Sequence, residues 1–287
     1  TFNIEDCVDY CREFAMDMVI IGSEQFLVTD IVKELNNNNI RCIAPTREHA
    51  RIETDKAYAR DIVSKIEKRQ GDINPDYIVI DNSTSFIRIH EFLRKHNNNI
   101  VIKPCGLHGG KGVKVYGDHL FNDSDIIEYI TALIGNNEKV LIEEKLQGIE
   151  FSLLSITDGV TAVPMPPVQD FKRLNNGNKG PNTGSMGCVY DGLNLNFLSD
   201  EERNYAQHLN KLVLNQLKHE TGYGYKGFLY GSFIKTPDDK IKVIEFNARL
   251  GDPEGVILLK QLDTNFSQFS SICFAVANEQ LKTCNIV

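Results

Sequence analysis

No stretch of this sequence is apolar for long enough to cross a bilayer: the longest apolar runs, at 17–22 and 99–104, fall far short of the roughly 20 residues a membrane helix needs. Positive charge is also scarce. A formal net charge of −8 opposes non-specific binding along a nucleic-acid backbone and leaves room only for a local basic site that takes a small phosphate ligand. Paired cysteine spacing is missing too. The 7 cysteines (Cys7, Cys11, Cys42, Cys105, Cys188, Cys273, Cys284) are scattered and odd in number, which argues against a disulfide framework and reads as reduced thiols of a cytoplasmic protein. Cys7 and Cys11, lacking a second pair, read as helix packing rather than metal ligation. There is no repeat of solenoid period and no basic-then-apolar leader. The chain opens at Thr1 rather than Met, and the expectation is part of a longer product. What remains is an ordinary soluble α/β protein whose partners are small molecules.

Strand and helix patterns alternate from the start. MDMVIIG and IRCIAP read as strands flanking the helical spacing of FLVTDIVKELNN, which is part of an open parallel α/β layer over residues 1–50. Residues 47–69 read as helical, with a boundary near Asn74. Residues 77–148 read as a small unit able to move as a lid: a helix near Phe86 to Lys95, strand NIVIKP, a glycine-rich turn, strand VKVYG, helix SDIIEYITALI and strand KVLIEEKL. Residues 51–76 and 149–287 then make a central mixed-sheet domain. It begins with a hairpin turning at Asp158-Gly159 and continues through a structureless polar segment at 164–192, a length uncommon unless it binds something. A capped helix from Ser199 and the strands GFLYGSFIK and KIKVIEFNA complete it.

Four segments carry candidate chemistry. The first runs from Lys103 to Gly112 and holds Gly109, Gly110 and Lys111. Glycines let backbone N–H groups approach phosphate oxygens and lysines supply point charge, although such a turn alone also reads as a hairpin. Lys103 adds weight, because a lysine in an apolar strand needs a counter-charge. The second, Glu143-Glu144-Lys-Leu146 to Glu150, suits a hinge that reads an adenine edge, or a solvated acidic turn. In the third, Glu245-Phe-Asn247-Ala-Arg249-Leu-Gly251-Asp252-Pro-Glu254, strand alternation sends Ile244 and Phe246 to the core and Glu245 and Asn247 together to the other face. Two hard oxygen ligands so placed suit Mg²⁺ or Mn²⁺ on a nucleotide, with Arg249 following where a transferring phosphoryl group needs a cation. The fourth combines Asp170, Lys172 and Arg173 with Asn182, Thr183, Gly184 and Met186. It suits a zwitterion or phosphate, or is a solvated loop.

In this order and spacing the segments resemble the phosphoribosylamine–glycine ligases of the ATP-grasp superfamily. The similarity lies at V-[IV]-K-x-x-G-L-x-x-G-K-G-V, E-E-x-L-x-G-x-E-x-S, Q-D-x-K-R with G-P-N-T-G-x-M-G, and E-F-N-x-R-x-G-D-P-E. Further matches surround Ile20-Ile-Gly22-Ser-Glu24 and Ala44-Pro-Thr46 with Glu53 and Lys56. The resemblance implies an α+β ATP-grasp fold that uses ATP and a divalent metal to phosphorylate glycine, which the amine of 5-phosphoribosylamine then attacks. By the same resemblance Lys56, Lys103, Glu144, Leu146 and Glu150 contact ATP, Glu245 and Asn247 hold the metal, and Arg249 stabilises developing charge. Glu24, Asp170, Lys172, Arg173, Asn182, Thr183, Gly184, Met186 and Asp252 shape the other substrate sites. Another ATP-grasp ligase and a non-catalytic relative are the alternatives. Departures are Phe171 where histidine is usual, Ser185 and Ser23 for glycine and proline, and the absence of the family's opening G-x-G-G-R-E-H-A loop and closing domain. The Arg47-Glu-His-Ala50 string reads as an accidental likeness to that loop. The expectation is a chain that binds ATP but, alone, turns over phosphoribosylamine poorly.

Overall fold

The computed structural model describes residues 3–108, 112–177, 179–262 and 267–284. The chain begins with α1 (Ile4–Glu13), β1 (Met18–Ile20), α2 (Glu24–Leu27), α3 (Ile31–Asn37) and β2 (Arg41–Ile43). β1 and β2 pair in parallel, as the alternation predicts, but β1 is only partly buried. Helix α1 buries Val8 and Cys11, so the Cys7/Cys11 pair does pack a helix. The helical stretch at 47–69 is two helices, α4 (Arg47–Thr54) and α5 (Lys56–Gln70). They break at Asp55, whose extended backbone and side chain, accepting from Tyr58 N–H, cap α5.

The Arg47-Glu48-His49-Ala50 string starts α4 and serves the core. Thr46 caps the helix by accepting from His49 N–H, and the imidazole is fully buried between Tyr223 and Tyr225 with Nε2 2.9 Å from Thr221 Oγ1. Burial pushes the His49 pKa down to about 4. A folded-state value below the unfolded one means stability is fully present above pH ~6.5 and is lost as pH falls toward the folded value. Between pH 7 and pH 5 the loss is expected to be about 2 kcal/mol. Denaturant midpoints at the two pH values should show it, and His49→Gln should flatten that part of the profile; an unchanged slope in the variant assigns the titration elsewhere.

The next unit contains β3 (Tyr77–Ile80), α6 (Phe86–Lys95), β4 (Ile100–Pro104), β5 (Lys114–Val115), α7 (Asp123–Gly135) and β6 (Val140–Glu144). Its antiparallel sheet has the order β3-β6-β4-β5, so a strand at 77–80 that periodicity did not single out forms one edge. Ile78, Ile80, Ile89, Leu93, Ile102, Ile126, Ile130 and Ile142 close a core of their own between this sheet and α6 and α7.

The chain then enters β7 (Ile149–Asp158) and β8 (Ala162–Pro164), joined by the expected turn, where Gly159 has φ 91°. The segment at 164–192 is a correction to the structureless reading: β9 (Gln169–Asp170) pairs with β12 (Cys188–Val189), and inside them β10 (Arg173–Asn175) pairs with β11 (Lys179–Asn182). Backbone bonds in this nested ribbon offset the desolvation of a segment with too few apolar side chains to show a period. Helix α8 (Asp200–Thr221) starts at the predicted capping box of Ser199 and Glu202 and ends at Gly222, with φ 85°. β13 (Lys226–Lys235), β14 (Ile241–Asn247), α9 (Glu254–Leu259) and α10 (Ser267–Ala277) follow. The central sheet has the order β14-β13-β7-β8. One face packs on α5 and α8 through Phe151, Leu153, Leu229, Phe233 and Val243. The other carries Ile156 and Phe228 under α10, and Leu154 and Tyr230 beside Leu258.

Gly148 marks the passage from the smaller sheet into the central one. Its φ is 151°, and a Cβ there would lie 2.0 Å from the Lys235 carbonyl oxygen, a backbone atom that cannot swing away. Gly148→Ala is expected to destabilise by more than ~1 kcal/mol. A thermal or urea melt within error of wild type would show that β7 and β13 slide apart there at no cost.

Candidate active site

Which way β14 points its charges depends on an irregularity. Ile241, Val243 and Phe246 all lie in the main core, which strict two-residue alternation forbids. Ser232 pairs with Glu245 and Phe233 with Val243, so Ile244 is the extra residue of a β-bulge. The expectation that Ile244 joins Phe246 in the core is therefore corrected: Val243 takes that position. Beyond the bulge alternation resumes, and Glu245 and Asn247 share the face opposite Phe246, as expected.

Three lysines from three elements surround Glu245: Lys172 after β9, Lys103 on β4 and Lys56 at the start of α5. Burial raises the Glu245 carboxyl, but these lysines outweigh it and hold the group below the usual carboxylate range. Burial also pushes the Lys56 ammonium down, against the pull of Glu245 and with the push of Lys103. Lys172 goes the other way, since Glu245, Glu150, Asp170 and Glu254 overcome its desolvation. Lys56 Nζ donates to the Gly106 carbonyl at 3.0 Å, which fixes the start of the glycine-rich turn against α5. Gly109, Gly110 and Lys111 lie outside the described residues. Gly112 lies within them, and a Cβ there would stand 2.5 Å from Pro104 Cγ.

Among the described residues the Glu245 carboxylate and the Asn247 side-chain amide show no hydrogen-bond or ion-pair partner, and no group of three or more His, Cys, Asp or Glu is gathered to hold a metal unaided. An ionised carboxylate and an amide oxygen on one strand face, ringed by lysines, fit a hard divalent cation that completes its shell with phosphate oxygens and water.

Arg249, just past β14, meets two carboxylates from the N-terminal elements: Nε is 3.0 Å from Glu24 Oε2 and Nη2 is 3.2 Å from Glu53 Oε1. Burial raises the Glu53 carboxyl, whose second oxygen accepts from Ala248 N–H at 2.7 Å. Asp252 is exposed. Glu254 is buried and accepts from Tyr230 Oη at 2.6 Å, and the same hydroxyl meets Ser152 Oγ at 2.6 Å. Gly251 gives this carboxylate room, since a Cβ would lie 2.4 Å from Glu254 Oε2.

Two hinge carboxylates are already engaged. Glu143 is buried between Lys103 Nζ, at 2.7 Å, and Arg60 Nε. Glu144 accepts from Asp76 N–H at 3.0 Å and from Lys242 Nζ at 3.3 Å. At this edge Leu146 is half-buried and Glu150 exposed. In the ribbon, Asp170 accepts from Ser185 Oγ at 2.6 Å, so the serine departure secures this carboxylate. Thr183 closes on the Lys172 carbonyl through both its N–H, at 2.7 Å, and its hydroxyl, at 2.9 Å. Arg173 donates to the Gly180 carbonyl at 2.7 Å and pairs with Asp118 of the smaller sheet's unit at 2.9 Å. Asn182 stands opposite Arg173 in the ribbon register, a Cβ at Gly184 would meet nothing within 4 Å among the described residues, and Met186 and Phe171 are exposed. Sequence reasoning placed neither Arg60 nor Lys242 in the site. Both are buried charges: Arg60 is a cation on the core-facing side of a helix, a signal the sequence offered, and Lys242 lies on the strand face opposite Ile241 and Val243, where its partners Asp72, Asn74 and Glu144 are distant in sequence.

A family model described as phosphoribosylglycinamide synthetase, ATP-grasp (A) domain, matches residues 54–255, and one for the N domain of the same enzyme matches residues 1–53. The chain belongs to the phosphoribosylglycinamide synthetase family. Phosphoribosylamine–glycine ligase of Methanocella arvoryzae is 36% identical over 285 residues, covering 99% of this chain and 63% of the relative. The Methanococcus vannielii ligase is 38% identical, covering 100% and 65%. The crystal structure of phosphoribosylamine–glycine ligase from Thermotoga maritima matches with a TM-score of 0.74 and 29% identity, covering 97% of this chain and 65% of that one. This family member therefore spans somewhat under two thirds of the relatives it matches. Its fold is the α+β ATP-grasp fold, which D-alanyl-alanine synthetase A of Vibrio cholerae shares at a TM-score of 0.69 and 16% identity, over 93% of this chain and 77% of that one. Among the described residues no helix is long and apolar enough to cross a membrane.

Proposed function

We propose that this chain carries the ATP and glycine sites of a phosphoribosylamine–glycine ligase, which joins glycine to 5-phosphoribosylamine with conversion of ATP to ADP and phosphate. The observation that carries the reading is the ionised Glu245 beside Asn247, faced by Lys56, Lys103 and Lys172. Phosphoryl transfer needs positioning and charge stabilisation more than covalent help from the protein. Lys103 and Lys56 meet ATP phosphate oxygens, and the backbone at Glu144 to Leu146 borders the adenine, with Glu150 near the ribose. A divalent cation held by Glu245 and Asn247, Mg²⁺ or Mn²⁺, supplies neutralising charge at those phosphates when bound.

In the first step a glycine carboxylate oxygen takes the terminal phosphoryl group and ADP leaves. In the second the amine nitrogen of phosphoribosylamine forms a bond to the glycyl carbon, phosphate departs with the C–O electron pair, and the nitrogen loses a proton. Arg249, held by Glu24 and Glu53, meets oxygens that gain negative charge in both steps without reorganising. Lys172, Asp170, Thr183 and the exposed Asp252 carry the charges and the hydroxyl that suit the glycine zwitterion. ADP release that needs glycine is the expected result in a coupled assay. Release that ignores glycine but follows another amino acid makes the chain a different ATP-grasp ligase, and ATP binding with no release under any acceptor makes it a binding relative.

A further inference from the structure

Arg60 is buried on the core-facing side of α5, alongside Ala59, Ile62 and Val63. A charge there is costly unless its N–H groups are paired, and the pairing it finds is specific. Nε donates to Glu143 on β6; Nη1 donates to Asn74 Oδ1 at 3.1 Å and to the Val243 carbonyl at 3.0 Å; Nη2 donates to the Ile244 carbonyl at 2.6 Å. We propose that Arg60 is a positioning residue, which clamps both chain crossings into the 77–148 unit onto the bulge of β14 and, through Glu143, sets Lys103 against Glu245. The proposal rests on the reading of Lys103 and Glu245 as parts of an ATP site.

Each contact has its own reason to be there. Asn74 stands where the chain leaves α5 for β3, and Glu143 stands on β6 where it returns, so one guanidinium holds the way in and the way out. The bulge at Ile244 interrupts the ladder between β13 and β14 and turns two consecutive carbonyls toward α5, where a planar fork of donors meets both. The second oxygen of Glu143 binds Lys103 Nζ at 2.7 Å, so a shift of the guanidinium carries to the ammonium through one rigid carboxylate. The bulged residue directly precedes Glu245. Arg60 thus touches the supports of both the proposed phosphate-binding lysine and the proposed metal ligand while touching neither.

The mild variant is Arg60→Lys, which keeps the charge and one bond to Glu143 but loses the fork that reaches residues 243 and 244. In the full chain, hydrogen exchange read by mass spectrometry should quicken at 140–145 and 241–247 while the helix at 123–135 stays as protected as in wild type. Mg·ATP affinity should weaken roughly tenfold, and adding Glu143→Gln to Arg60→Lys should cost less than Glu143→Gln costs alone, because both act through one carboxylate. Exchange that quickens equally everywhere, or nowhere, overturns the proposal by reducing Arg60 to general stability or to no role. Unchanged ATP affinity in Arg60→Lys with a wild type that binds overturns it as well. A wild type that binds no ATP overturns the ATP-site reading instead, and the exchange pattern then decides the clamp by itself.

Discussion

Glu245→Ala is expected to remove the metal dependence of ATP binding, with a loss on the order of 100-fold in Mg·ATP affinity. In the proposed site Glu245 and Asn247 are the two oxygens offered to a cation, and the variant leaves the Asn247 amide alone. The same change frees Lys56, Lys103 and Lys172 from the anion they share, so binding of ATP without metal should hold or improve. That opposite movement separates loss of a ligand from collapse of the site. Titrations of ATP with and without Mg²⁺ at constant ionic strength read it, and a variant that keeps the wild-type response to Mg²⁺ places the cation elsewhere. Protonation should act like the substitution. Because the lysines hold the Glu245 carboxyl below the usual range, metal-dependent binding should persist through pH 5 and disappear only as pH falls through that depressed value.

Glu143→Ala should have the largest effect on stability. It strands Arg60 and Lys103, both buried, without their counter-charge, and the removal of one partner from a buried network typically costs about 3–5 kcal/mol. Burial raises the Glu143 carboxyl, but Arg60 and Lys103 outweigh that and lower it. Its contribution is therefore present above the ordinary carboxylate range and lost as pH falls through the depressed folded value. Replacing all three charges, as Arg60→Met, Lys103→Met and Glu143→Leu together, should restore most of the stability and leave ATP binding broken. Urea denaturation distinguishes these cases. A single variant that loses less than ~1 kcal/mol would mean that water reaches the two cations and solvates them.

The sequence made the segments that carry the chemistry legible because each is short and local: Glu245, Asn247 and Arg249 fall within five residues, and the capping box of α8 within four. Alternation even assigned Glu245 and Asn247 their common face. It failed one residue earlier, at Ile244, because a bulge shifts the count by one and nothing in the string VIEF announces it. Arg60 escaped for another reason. Its partners stand 14, 83, 183 and 184 residues away, and only the packed fold makes them neighbours. The ribbon at 169–189 was invisible because its strands are only two to four residues long and mostly polar, too short to set a period.

The closed core of the β3-β6-β4-β5 sheet implies a modular architecture. The unit's two crossings lie side by side, where Glu144 N–H donates to the Asp76 carbonyl at 2.9 Å, so residues 77–143 sit in the chain like a parenthesis in a sentence. Joining ends this close adds little loop-closure entropy, and the central sheet with α5 and α8 keeps its own core without the insert. Such an arrangement lets an ancestral sheet acquire the unit in one event and lets a descendant exchange it for another of similar span. Arg60 is the stitch between the two: the Asn74 side chain and the Val243 and Ile244 carbonyls hold it on the host side, and Glu143 reaches it from the insert.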